Sequence, residues 1–148
     1  MTRLQAVAAP LPHDSAELHV TGRARYVDDL PEPHGCLHAA VGQSARAHAR
    51  IVRMDLSRVA AAPGVVAVLT GADFPGLNQI GPVLLDEPAL AQHSVDYHGQ
   101  AVFAVAATSY ELARRAVTLA EVEYEDLPAA IHLEDALAAN HDLLPPYE

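Results

Sequence analysis

The sequence feature that most constrains the fold is a strand, helix and strand pattern in the second half of the chain. Residues 101–107, AVFAVAA, are uniformly apolar over the length of one strand, and such a run is typical of a strand covered on both faces. The apolar residues of the next segment recur at helical spacing, at Leu112, Ala113, Ala116, Leu119 and Ala120. Residues 121–125, EVEYE, then alternate, which predicts a strand with Val122 and Tyr124 facing the core.

Shorter patterns extend this unit towards the amino terminus. They predict, in chain order, a strand over 17–21 that turns at Gly22, a strand over 37–41, a basic loop over 46–53, a helix over 56–62 capped by Asp55, and a buried strand over 64–70. Residues 71–97 are rich in glycine and proline without periodicity, which predicts a long ordered loop. Thr108 and Glu111 have the spacing of a capping box at the start of the main helix. The predicted fold class is α+β, with two main helices packed against a small mixed sheet.

The length of the chain is that of one domain. Its 148 residues can bury a sizeable core without disulfides. Residues 1–14 contain Pro10 and Pro12 and are predicted to be an extended tail, and residues 15–130 are predicted to form the domain. Residues 131–148 hold one weak helical turn and end in DLLPPYE. We expect them to be a linker towards a further domain that this sequence does not contain.

Composition excludes several classes of function. The formal charge is −10, from nineteen acidic residues and nine basic ones, and all nine basic residues are arginine. Without lysine, neither a P-loop nor a pyridoxal Schiff base is possible. No basic patch suits nucleic acid, and no apolar run is long enough to cross a membrane. Cys36 is the single cysteine, so neither an internal disulfide nor a four-thiolate iron–sulfur cluster can form, and a cytoplasmic location is expected.

One pattern could bind a metal ion. On a strand, His34, Cys36 and His38 would share one face as a His-x-Cys-x-His triplet, and His48 could supply a fourth ligand. The alternative is that residues 33–35 form a turn and that Cys36 is a small buried hydrophobic residue. Since no CxxC or HExxH spacing accompanies the triplet, the turn is the favoured interpretation.

Two acidic segments could carry other chemistry. Asp28 and Asp29 could bind Mg²⁺ or Ca²⁺, but adjacent side chains on an extended chain diverge, so a helix-like or Asx turn before Pro31 is preferred. Residues 96–100, DYHGQ, offer an acid, a phenol and an imidazole. Neighbours on a strand seldom converge on one atom, so a tight turn or bulge at Gly99 is preferred. No serine-hydrolase elbow or dinucleotide-binding motif occurs.

Several blocks, read in order, resemble the opening domain of the molybdopterin-binding subunit in the xanthine dehydrogenase and aldehyde oxidase family. The resemblance covers residues 14–130. Its blocks are HVTGRARYVDDLPEPHGCLHAAV, SARAHARI, PGVVAVLTGADFPGLNQIGP, VDYHGQAVFAVAATSYELARRAV and VEYEDLPA. Such a run of blocks is a specific signal.

The resemblance implies an α/β hammerhead domain that is non-catalytic by itself. In this family, the glycine-rich segment that binds the molybdenum cofactor and the glutamate thought to act as general base lie further along the chain, and neither has a match here. No catalytic, cofactor-binding or metal-binding residue is therefore carried over. The resemblance implies molybdenum-molybdopterin in the full subunit, with [2Fe-2S] clusters and FAD in partner subunits.

The resemblance also implies that this domain contacts its neighbours. The expected partners are a downstream molybdopterin-binding domain and an iron–sulfur/FAD subunit, with a homo-oligomer as a further possibility. An exposed apolar or mixed patch is expected where a neighbour packs. The candidate interface residues are Arg23, Arg25, Asn78, Gly81, Gly99 and Gln100.

The implied function is that of a structural domain in an enzyme that hydroxylates its substrate oxidatively. Within the family, the sequence as a whole most resembles xanthine dehydrogenase, which converts hypoxanthine and xanthine to urate in purine catabolism. The isolated segment is expected to be inactive. The alternatives are an aldehyde oxidase-type or other molybdenum hydroxylase, an independent binding or metal-holding domain, and a regulatory or assembly protein descended from the enzyme domain.

Overall fold

Two three-stranded antiparallel sheets carry most of the ordered structure. The computed structural model describes residues 9–139, and contacts divide the chain into two units after His34. The strands are β1 (His38–Gln43), β2 (Ala49–Asp55), β3 (Val65–Thr70), β4 (Ser94–Val95), β5 (Ala101–Ala107) and β6 (Glu121–Asp126). The first sheet has the order β1-β5-β3 and the second has the order β4-β2-β6. The helices are α1 (Ala16–Val20), α2 (Ser57–Ala60), α3 (Tyr110–Val117) and α4 (Leu133–Ala139).

The first unit has no buried residue between positions 9 and 34. The strand predicted over 17–21 is wrong, because this segment is helix α1. The hydroxyl of Thr21 donates to the carbonyl of Glu17 at 2.6 Å, and Gly22 then turns the chain at a φ of 68°. The turn at Gly22 is confirmed. A five-residue segment is too short for its spacing to separate helix from strand.

The turn predicted before Pro31 is also confirmed. Val27–Asp29 forms a 3₁₀ turn, and the side chain of Asp29 accepts a hydrogen bond from the backbone of Tyr26 at 2.9 Å. The Asp29 carboxylate is thus used to stabilise the turn, as the Asx interpretation requires.

Strand β5 organises the second unit. It pairs with β1 on one side and β3 on the other, both antiparallel. Val102, Phe103 and Val105 of this strand are at most 3% exposed. They share one core cluster with Ala49, Val59, Ala91, Val95 and Ala116. Helices α2 and α3 pack on this first sheet, as predicted for the two main helices.

The predicted α+β class is confirmed, but the sheet is not mixed, because every strand pair between residues 9 and 139 is antiparallel and the strands form two sheets. The basic segment 46–53 was predicted as a loop, but it forms most of β2 and thereby part of the second sheet. Its Arg50 and Arg53 side chains bind Glu125 and Glu123 of β6 at 2.7 and 3.1 Å. The inward positions of Val122 and Tyr124 are confirmed. Neutralising cross-strand pairs let a charged segment form a strand.

Local capping differs from the prediction by one residue at α3. The N-cap is Ser109, whose hydroxyl accepts a hydrogen bond from the backbone of Leu112 at 3.3 Å. At α2, the Asp55 carboxylate accepts hydrogen bonds from the hydroxyl and backbone of Ser57, and these bonds lower the pKa of Asp55. Asp55 therefore stabilises the first turn as predicted, although the helix ends at Ala60 rather than Ala62.

Candidate functional site

The long loop after β3 is ordered by polar contacts at both of its ends. The Asp73 carboxylate accepts hydrogen bonds from the backbone and hydroxyl of Thr70 at 2.7 and 2.8 Å. These two bonds lower the pKa of Asp73. Further along, the backbone of Ile80 donates to the carbonyl of Glu87 at 2.8 Å. The predicted ordered loop is confirmed, with a short strand, β4, near its end.

The side chain of Asn78 holds two parts of this loop together. Its Nδ2 donates to the carbonyl of Leu90 at 2.7 Å, and its Oδ1 accepts from the backbone N–H of Leu90 at 3.0 Å. One side chain thus binds both polar groups of a residue that is twelve positions away. At Gly81 the chain folds so closely on itself that an added Cβ would overlap the carbonyl oxygen of Leu84, so this position requires glycine.

A cleft of about 270 Å³ lies beside Asn78. It is lined by Asn78, Gln79, Pro88, Gln92, His93, Ser94 and Asp96. The Oε1 atom of Gln79 is buried and has no hydrogen-bond partner among the described residues. The backbone of Asp96 donates to Oε1 of Gln100, which is 3% exposed, at 2.7 Å. Asn78 therefore lines the cleft, and Gln100 is connected to it through the backbone of Asp96.

Gly99 forms the turn that leads into β5. Its φ is 92°, a value that favours glycine. Its backbone donates to the carbonyl of Ser44 at 2.9 Å, and Ser44 donates in return to the carbonyl of Gln100 at 2.8 Å. The predicted turn at Gly99 is confirmed, and it attaches the start of β5 to the end of β1.

The same loop exposes a series of large apolar side chains. They are Phe74, Leu77, Ile80, Val83, Leu84 and Leu85, and Val83 is 88% exposed. An ordered backbone that presents apolar side chains to solvent is typical of a contact surface. We call these six residues the loop surface. The sequence predicted a long ordered loop but not which of its side chains face outwards.

Arg23 and Arg25 lie in the first unit, where both are exposed. No ion pair joins either guanidinium group to a carboxylate within residues 9–139. This contrasts with Arg46, Arg50, Arg53 and Arg58, which all bind acidic side chains. The two arginines stay candidates for pairing with acids of a neighbouring domain.

The proposed metal triplet does not share a strand face. His34 and Gly35 form a turn, with Gly35 at a φ of 80°, and β1 begins only at His38. Cys36 is exposed rather than buried. Nδ1 of His48 lies 2.6 Å from the carbonyl of Pro128. Within the described part of the chain, no three His, Cys, Asp or Glu side chains are grouped so that they could hold a metal ion.

The described residues do not fit the molybdenum cofactor that the resemblance implies for the full subunit. The cleft presents amide, imidazole, hydroxyl and carboxylate groups, but its lining contains neither a glycine-rich backbone cradle nor an arginine or lysine side chain to bind a phosphate. We assign no chemical step of the reaction to these residues. Between residues 9 and 139, no helix is long and apolar enough to span a membrane.

The role of Asn78 in holding the loop is tested with the variant Asn78→Asp. The variant keeps an acceptor for the Leu90 N–H but places an oxygen against the Leu90 carbonyl, so we expect a loss of about 1–3 kcal/mol in the free energy of unfolding. Amide hydrogen exchange at Leu90 should become faster. The control is Asp86→Asn, the reverse exchange at an exposed position of the same loop. Unchanged exchange at Leu90 in Asn78→Asp would contradict the role assigned to Asn78.

Comparison with known proteins decides the family. A sequence profile of the family described as "Aldehyde oxidase and xanthine dehydrogenase, a/b hammerhead domain" matches residues 21–128. The chain belongs to this family. Its similarity to the xanthine dehydrogenase of Oryza sativa subsp. japonica is 42% identity, over 90% of this chain and 10% of that protein.

Other relatives point to the same family. Aldehyde oxidase 4 of Cavia porcellus is 43% identical over 94% of this chain and 10% of its own length. The crystal structure of the aldehyde oxidoreductase of Desulfovibrio desulfuricans superposes with a TM-score of 0.78 and 32% identity, over 86% of this chain and 15% of that one. The hammerhead fold is thereby confirmed. The chain spans about a tenth of the length of the curated relatives it matches.

Proposed function

We propose that this hammerhead domain is a non-catalytic structural part of a molybdenum hydroxylase of the xanthine dehydrogenase type. The reaction proposed for the whole enzyme is the oxidative hydroxylation of hypoxanthine and xanthine to urate. Molybdenum-molybdopterin would be bound by the full subunit, and [2Fe-2S] clusters and FAD by partner subunits, in the cytoplasm. Residues 15–130 would form the domain, and residues 131–148 would lead towards the molybdopterin-binding domain.

The observation that carries this proposal is the loop surface. Six large apolar side chains are exposed on a backbone held by Asn78 and Asp73. Leaving such residues in water is unfavourable by about 25 cal/mol for each Å² of apolar surface. An ordered segment with this composition therefore supports a role in binding the remainder of an enzyme.

The proposal is tested on the protein tagged in its source organism. We expect the tagged preparation to contain the molybdopterin-binding polypeptide, whether in the same chain or as a subunit, and to oxidise xanthine. The double variant Val83→Asp, Leu85→Asp should lose molybdenum content and turnover, because two carboxylates would be buried without partners. Val52→Asp, an exposed valine outside the loop surface, is the matched control and should retain both.

Two results would contradict the proposal. One is turnover of a purine or an aldehyde by the 148-residue chain alone. The other is full assembly of the double variant.

A second candidate is an aldehyde oxidase-type enzyme, which the similarity to an aldehyde oxidase and an aldehyde oxidoreductase favours. The substrate then distinguishes the two candidates. Comparing kcat/KM of the native preparation for xanthine and for an aromatic aldehyde gives the answer, and a higher value for the aldehyde would favour the second candidate.

A further inference from the structure

The first sheet has an outer face made only of apolar side chains. Paired residues of antiparallel strands point to the same side of a sheet. In the observed register, Val41 and Leu69 both pair with Ala104, and Ala39 and Ala67 both pair with Ala106. These six side chains therefore lie on one side in two rows. We call them the outer face, and none of them can carry a charge.

The opposite side of the same sheet is the core. Phe103, Val105 and Ala107 alternate with the outer residues along β5 and are at most 3% exposed, and helix α3 packs on this side of the sheet through Ala116. On the outer face, Val41 and Leu69 are each 47% exposed. The sheet is thus uncovered on this side at Val41 and Leu69.

The composition of β5 is that of a strand covered on both sides. All seven residues of AVFAVAA are apolar, whereas a strand with one wet face normally alternates between apolar and polar residues. Strand β6 of the second sheet does alternate, with glutamates on its outer side. The difference between two strands of one chain indicates that β5 has a permanent cover on its second side.

Part of that cover is present in the chain. Val102 points to the same side as Ala104 but is fully buried, and it belongs to the core cluster together with Ala91 and Val95. At this end of the strand, the backbone N–H of Ala91 donates to the carbonyl of Ala101 at 2.8 Å. The uncovered part begins at Ala104. A partner surface is therefore needed only over the second half of the strand and its two neighbours, a width of about 10 Å.

We propose that the outer face is a docking surface for an apolar, uncharged surface of the rest of the hydroxylase polypeptide. This inference rests on the proposed function. Nine tenths of the length of the curated relatives lies outside the region matched by this chain. Such enzymes therefore contain a large remaining part that is available to cover the outer face. With this cover in place, both sides of the central strand β5 would be buried in an interface without charges. Such an interface resembles a domain core and is typical of a permanent contact.

A second copy of the chain is a less suitable occupant. The chain carries a formal charge of −10, so two copies brought face to face would repel each other. The outer face has no arginine or acidic side chain to offset that repulsion. The remainder of the polypeptide is subject to no such restriction.

The test is the accessibility of Val41 to a maleimide. Val41→Cys is introduced in a Cys36→Ser background and labelled both in the 148-residue chain and in the hydroxylase purified from the source organism. Labelling should be slower by about tenfold or more in the hydroxylase, because it requires local opening of a packed surface. Val52→Cys in the same background is the control, since Val52 is 59% exposed on the second sheet. It should react at similar rates in both preparations.

Each other outcome overturns the inference. Equal labelling of Val41→Cys in a hydroxylase that contains molybdenum would overturn the docking surface while leaving the proposed function intact. Slow labelling in the isolated chain that becomes faster on dilution would show that a second copy covers the outer face. Equal protection of Val52→Cys would remove the assignment to this face. A preparation that contains no molybdopterin-binding polypeptide would defeat the proposed function and, with it, this inference.

Discussion

Replacing Gly42 with alanine is expected to lower the free energy of unfolding by about 1–3 kcal/mol, the usual cost of overpacking a core. Gly42 lies opposite Phe103 in the register of β1 and β5. A Cβ at this position would overlap the phenyl ring. The ring is 3% exposed and belongs to the core cluster, so it has little space into which it can move. Chemical denaturation followed by far-UV circular dichroism measures the change.

The control for this prediction is Gly76→Ala. Gly76 lies in the loop after β3, and an added Cβ there would meet no atom within 4 Å. Its replacement should be neutral or slightly stabilising, because alanine reduces the conformational freedom of the unfolded chain. Equal losses in the two variants would show that the Gly42 effect does not come from the ring of Phe103.

The longest periodic segments of the sequence predicted the structure best. Residues 101–126 form the strand, helix and strand that the pattern indicated, because apolar runs and alternation report burial directly. The resemblance to the hammerhead family added the fold. Short segments gave poorer results. Over 17–21, two apolar residues of the same parity suited a strand, but a side-chain hydrogen bond and a glycine turn make this a helix.

The error at β2 has a physical cause that the sequence contains. A stretch with four arginines from Arg46 to Arg58 looks too polar for a strand. Its Arg50 and Arg53 are spaced to meet Glu125 and Glu123 across the sheet, and pairing between segments some seventy residues apart cannot be read from either segment alone. Matching the number and spacing of opposite charges in the two segments is the signal that could have found it.

Four of the six candidate interface residues have a local structural role. Asn78, Gly81, Gly99 and Gln100 were selected through a family pattern, and the structure shows that each has a local task in holding the loop or the turn. Whether any of them touches a neighbouring domain stays a prediction. The outer face could not be read from the sequence, because which of its residues remain exposed depends on strand register and on the packing of α3. The side chains of the loop surface could not be identified either, because their exposure depends on how the loop folds back on itself through Asn78 and Leu90.

Replacing Phe103 with alanine is expected to have the largest effect, a loss of about 3–5 kcal/mol in the free energy of unfolding. The ring fills the space left by the missing side chain of Gly42, so its removal opens a cavity against the backbone of β1. Because the stability of natural domains is about 5–15 kcal/mol, much of the variant chain should unfold at modest denaturant concentrations. Phe74→Ala, at the only other phenylalanine and 39% exposed, is the control and should cost much less.

The effect of Gly42→Ala on stability should also change sign when Phe103 is replaced with alanine. Gly42→Ala destabilises the protein while the ring of Phe103 is present, but in the Phe103→Ala background the added methyl group enters an empty space and should restore part of the stability. In the double-mutant cycle, the double variant should therefore be more stable than the sum of the two single losses predicts, by at least the loss of about 1–3 kcal/mol that Gly42→Ala causes alone, a coupling typical of residues in direct contact. Denaturant midpoints of the four proteins, measured with a common slope, give this value. Additive effects would mean that Phe103 and Gly42 do not share one packing site, and the register between β1 and β5 would then have to be different.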